Sequence, residues 1–133
     1  MIAYLLPLML VALGGAVGAV ARFWLSGVVA RRVGETFPWG TLAINVSGAA
    51  AIGFLAGATL EWAQGPMQSL LLLALTTGIL GSYTTVSSFS LQTLTLVRAG
   101  EWRGALWNIA ASLTLCLAAV SAGFACGLVV GRG

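Results

Sequence analysis

The stretch Thr76–Ser90, TTGILGSYTTVSSFS, decides how this chain folds. Seven of the nine residues from Ser82 to Ser90 are Ser, Thr or Tyr, and they follow an almost wholly apolar run from Leu70 to Leu80. Eleven helical residues at ~1.5 Å each cover only about half of a ~30 Å hydrocarbon core, so that run cannot cross a bilayer alone. Continued through Ser87, Phe89 and Leu91 to Val97, the segment is more than long enough. The hydroxyl-rich part is therefore expected at membrane depth, as an unwound joint between two half-helices. Irregular backbone survives there only where protein or a water-filled cavity surrounds it. Such a joint gathers free carbonyls, free N–H groups and helix ends, the usual construction of an ion site in a membrane protein. The pattern points to ion passage.

Composition agrees. With 59% hydrophobic and 7% charged residues among 133, and a mean hydropathy of +1.02, the chain is far from the soluble average of about 25% charged. There is room for four spans of ~20 residues and no second domain, so residues 1–133 are expected to form one all-α transmembrane domain. A formal charge of +3 and a pI near 9.5 invite a nucleic-acid partner. The six arginines stand singly or in one pair, which suits a membrane surface better. Histidine is absent and the only acids are Glu35, Glu61 and Glu101, which removes most acid–base and metal chemistry. Cys116 and Cys126 fall about 1000° apart around one helix and cannot bridge each other.

Taken in order, the first helix is expected over about 2–30; it is too long for a signal-peptide core and has no charge ahead of it. Gly14 and Gly18 suit close approach of another helix. Arg22, near the far end, either snorkels to the interface or lends positive potential to an anion entrance. The second helix spans about 39–61, with Trp39 and Trp62 as interfacial anchors, and carries Thr41 and Asn45 one turn apart on one face. Asn45 is read either as interhelical glue or as a contact to the ion or the joint. The third helix covers about 67–97, with its break near 81–85. The fourth, about 102–130, repeats Asn108, Ser112 and Cys116 on one face, with Gly123, Gly127 and Gly131 beyond.

Three ordered motifs now carry a resemblance. Gly78, Gly81, Thr84, Thr85, Ser87, Ser88 and Phe89, together with GGAVGAVARF at Gly14–Phe23 and GTLAINVSG at Gly40–Gly48, resemble the Fluc (CrcB-type) fluoride ion channel family along the whole chain. The resemblance implies a passive fluoride channel of the bacterial inner membrane that exports cytoplasmic fluoride and lowers its toxicity. It implies two oppositely inserted subunits with two pores. It also implies a central structural sodium held by backbone carbonyls, here those of Gly81 and Thr84. The pore rings correspond to Val86 and Phe89, the flanking serines to Ser87 and Ser90, and the polar track on the fourth helix to Ser112 and Cys116. Asn45 and Thr85 add donors suited to a small, strongly hydrated anion.

Two positions depart from that pattern. Val86 offers no aromatic edge, and the Cys116 thiol is a weaker donor than a hydroxyl. Charge is a third departure. The first and third loops carry Arg31, Arg32, Arg98 and Arg103, against Arg132 and the amino terminus on the other side, which favours one orientation. A homodimer is expected; a heterodimer with an oppositely inserted, non-identical partner is the alternative. A proton-coupled drug exporter needs a carboxylate within the membrane, whereas all three glutamates fall in or beside loops. A subunit without transport would leave the hydroxyl joint unexplained, and no nucleophile and base pair suggests an enzyme.

Overall fold

A chain this apolar has no water to satisfy its peptide groups, and helices satisfy them internally. The computed structural model describes residues 2–34, 36–60 and 65–132, with side chains from Leu5 onward, and among these residues every regular element is helical. The order is α1 (Ile2–Val33), α2 (Trp39–Ala58), α3 (Pro66–Leu73), a π-helical segment (Ala74–Leu80), α4 (Gly81–Tyr83), α5 (Val86–Arg98) and α6 (Trp102–Gly131). Four stretches are long and apolar enough to cross a bilayer: Leu5–Val33, Trp39–Ala58, Pro66–Arg98 and Trp102–Gly131. The protein is a multi-pass integral membrane protein.

The ends differ from the sequence expectations by small, explicable amounts. α1 continues past Ala30 to Val33 and stops at Gly34, whose φ of 83° is open to glycine. α2 ends at Ala58, where Thr59 turns both its N–H (3.0 Å) and its hydroxyl (2.6 Å) onto the Leu55 carbonyl. Pro66 occupies the first turn of α3, where its missing N–H costs nothing. Glu35, Glu61 and Trp62 lie outside the described residues.

Little of the surface is hidden, because the surroundings of these helices are themselves apolar: Leu42, Ile44 and Ala105 are the buried hydrophobic residues among those described. Close backbone packing takes over from the hydrophobic effect. The most extensive contact joins α2 to α6. There a Cβ on Gly53 would overlap the Val120 carbonyl oxygen, and one on Gly123 would overlap that of Ala50. α1 packs instead on the π-helical segment, where a methyl on Gly14 would come 2.8 Å from the Ala74 carbonyl oxygen. The glycine pairs seen in the sequence are therefore packing devices. One buried polar contact joins α6 to α5: Asn108, 2% exposed, donates through Nδ2 to Thr93 Oγ1 at 2.8 Å, and Thr93 donates to the Phe89 carbonyl at 2.7 Å.

Candidate functional site

The third span comes apart at two residues. α4 ends at Tyr83; Thr84 (φ −76°, ψ 158°) and Thr85 (φ −151°, ψ 120°) are extended, and α5 begins at Val86. Two adjacent β-branched residues are well suited to extended backbone. Thr85 also restarts the helix, its Oγ1 accepting the Ser88 N–H at 3.1 Å as an N-cap.

The interruption is held from α2. Asn45 Nδ2 donates to the Thr85 carbonyl at 2.9 Å, and Thr85 N–H donates to Asn45 Oδ1 at 2.8 Å. One side-chain amide thus takes both peptide groups of an extended residue, as a neighbouring strand would. Two bonds at the break, Thr85 N–H to Asn45 and the Ser88 N–H cap, each remove a donor from a carbonyl of the helical ladder. In an unbroken helix the Gly81 carbonyl would accept from Thr85 N–H, which Asn45 holds; the Thr84 carbonyl would accept from Ser88 N–H, which Thr85 Oγ1 holds. The Thr84 hydroxyl turns back to the Leu80 carbonyl at 2.9 Å, so Thr84 presents its carbonyl rather than its hydroxyl.

Two carbonyls released in this way suit a hard cation, which takes oxygen ligands. Among the described residues no group of three or more His, Cys, Asp or Glu side chains is placed to hold a metal, so backbone oxygen is the donor that Gly81 and Thr84 can offer.

Beside the break lies a groove of about 570 Å³ that gathers Asn45, Thr85, Val86, Phe89, Ser112 and Cys116, with Gly81 and Thr84 also on its wall. Most of the residues expected to line a pore therefore meet in one place. Ser112 and Cys116 stand one turn apart on α6, opposite Phe89 on α5. Others do not meet there. Ser87 and Ser90 are exposed on α5 outside the groove lining, and Ser87 Oγ lies 3.1 Å from Thr85 Oγ1. Arg22 is half-buried on α1 and is not on the groove wall. Val86 is 76% exposed, pointing largely out of the subunit.

The polar line on α6 is shorter than its periodicity suggested. Asn108 is committed to Thr93, leaving Ser112 and Cys116 to face the groove. Thr41 shares a helix face with Asn45, yet it is buried and lines a different cavity, of about 290 Å³, with Ser26 and Gln92. Thr76 on the π-helical segment does line the groove and was not singled out in the sequence. Its hydroxyl, spaced eight residues before Thr84, was the available signal; it turns back to the Leu72 carbonyl at 2.7 Å.

Comparison with known proteins adds to this geometry. Residues 9–124 match the model of a family described as CrcB-like protein, Camphor Resistance (CrcB). The chain is 54% identical over 128 residues to a protein of Rhodopseudomonas palustris named "Fluoride-specific ion channel FluC 2", covering 92% of this chain and 94% of that one. It is 57% identical over 115 residues to a protein of the same name from Bradyrhizobium diazoefficiens, covering 86% of this chain and 83% of that one. A protein of Opitutus terrae named "Fluoride-specific ion channel FluC" is 54% identical over 116 residues, 83% of each chain.

Proposed function

This chain belongs to the CrcB-like protein family, and on that premise we propose that it is a passive, fluoride-selective channel. It is not an enzyme. The observation that carries the proposal is the pinned break: Asn45 holds Thr85 extended beside a groove lined by Phe89 and Ser112. Fluoride surrenders its hydration only where other donors replace water. Asn45 Nδ2 spends one of its two N–H groups on Thr85 and keeps the other, and Ser112 and Cys116 add a hydroxyl and a thiol on the facing wall. The edge of the Phe89 ring carries positive polarity suited to an anion.

In this proposal the break lies at mid-membrane, and two subunits inserted in opposite directions form the working channel with two pores. The open side of the groove supports the dimer: among mostly apolar walls such as Ile52, Leu80, Leu113 and Val120 it carries Ser112 and the interrupted backbone at Thr85, which call for protein or water beside them rather than lipid. The Gly81 and Thr84 carbonyls would hold a structural sodium, which supplies fixed positive charge without a strong donor that would trap fluoride. The protein would sit in the bacterial inner membrane and let cytoplasmic fluoride leave, lowering its toxicity. A heterodimer is the second reading, favoured by the outward-facing Val86, opposite which a non-identical partner would supply a ring.

Anion efflux from liposomes that contain this chain alone tests the proposal, with fluoride compared against chloride. Fluoride should leave and chloride should stay, and Phe89→Ile should slow the fluoride flux. Equal passage of chloride, or an unchanged flux in Phe89→Ile, contradicts it. Fluoride efflux that appears only when a second, non-identical chain is added would select the heterodimer.

A further inference from the structure

The break meets α2 at a second place, outside the groove. Neither Ser47 nor Tyr83 lines the groove, yet their hydroxyl oxygens lie 2.8 Å apart. The Ser47 hydroxyl also reaches its own helix. Ser47 Oγ is 2.7 Å from the Ala43 carbonyl and 3.1 Å from that of Ile44, so its single proton is committed to its own helix. Either hydroxyl can donate in the pair; with the Ser47 proton on its own helix, Tyr83 donates and the relay runs from Tyr83 through Ser47 to the Ala43 carbonyl.

Position gives this bond its meaning. Tyr83 is the last helical residue before the break, and Thr85 is the first held by Asn45. Between them, Thr84 places its methyl against Gly48, where a Cβ would overlap it. Three consecutive residues of the third span thus each meet α2 within the four residues Asn45–Gly48. Ser47 is exposed and Tyr83 half-buried at the outer face of the helices, and against apolar surroundings a hydroxyl pair is costly to separate.

We infer that the Tyr83–Ser47 pair is a second positioning contact for the break, a latch that keeps Thr84 and Thr85 seated on α2 and resists their detachment from it. Its role is positional, since neither residue lines the groove. Asn45 fixes where the extended residue sits, and the latch fixes where the preceding helix stops. The consequence for transport rests on the channel proposed above; the latch itself does not.

Hydrogen exchange at the Thr84 and Thr85 amides, which donate to the Leu80 carbonyl and to Asn45 Oδ1, measured on the full chain in detergent or lipid, tests it. Loss of one net hydrogen bond predicts exchange roughly three- to tenfold faster in Tyr83→Phe and in Ser47→Ala. The double variant should be no faster than either single one, and Ser47→Thr, which keeps the hydroxyl, should exchange at the parent rate. Unchanged exchange in Tyr83→Phe, or single effects that multiply in the double variant, overturns the inference. Fluoride-over-chloride efflux from the same preparations should fall alike in the two single variants. A parent protein that passes no fluoride would sink the channel proposal while leaving the exchange comparison decisive for the latch.

Discussion

Asn45 and Thr85, forty residues apart, are joined by a reciprocal pair of hydrogen bonds of 2.9 and 2.8 Å, and the third span is interrupted where they meet. Backbone that leaves the helical ladder inside an apolar layer needs partners for its N–H and C=O groups. A carboxamide supplies both a donor and an acceptor at the spacing of a peptide, and does so without titrating.

Replacing Asn45 by Leu keeps the branched shape and removes both partners. Each orphaned peptide group costs about 1–3 kcal/mol, so Asn45→Leu should lower the thermal stability of the protein in detergent and abolish fluoride efflux. Asn45→Asp keeps the acceptor for Thr85 N–H but loses the donor to its carbonyl, and should fall between parent and Asn45→Leu in stability. Thermal unfolding of the three proteins side by side checks the order.

At Gly53 the Val120 carbonyl leaves no space for a side chain. Gly53→Val should force α2 away from α6 at a cost of about 1–3 kcal/mol, seen as a lower unfolding temperature. Gly15, where a Cβ would meet nothing within 4 Å, should accept Ala with little change. A similar loss at both positions would contradict the packing described here.

Much of this was legible in the sequence. Four spans followed from the length and spacing of apolar runs; the hydroxyl-rich stretch, expected to be unwound near 81–85, is extended at Thr84 and Thr85 and helical at Gly81–Tyr83 and from Val86 on. What was hidden is what depends on a partner far along the chain. Asn45 could be seen as a polar residue needing a bond, but its two bonds go to Thr85. Periodicity placed Asn108, Ser112 and Cys116 on one face, yet a helix of 30 residues passes different neighbours along its length, so Asn108 meets Thr93 while the other two meet the groove. The π-helical segment had no sequence signal, because the choice between i+4 and i+5 bonding is settled by packing on α1.

Cys116 offers a test of donor strength within the groove. Its thiol is a weak donor, and Cys116→Ser replaces it with a stronger one of similar size. Fluoride efflux from liposomes should rise in this variant, roughly severalfold for about 1 kcal/mol of added hydrogen bonding. Unchanged or slower fluoride efflux would show that the α6 wall of the groove does not take part in passage.

The central claim is that Thr84 and Thr85 stay extended within the bilayer, and the most direct measurement is their Cα and Cβ chemical shifts by solid-state NMR of labelled protein in lipid. Extended values for both threonines, flanked by helical values at Tyr83 and Ser88, are the predicted result. Helical values at Thr84 and Thr85, giving an unbroken helix from Pro66 to Arg98, would contradict the account.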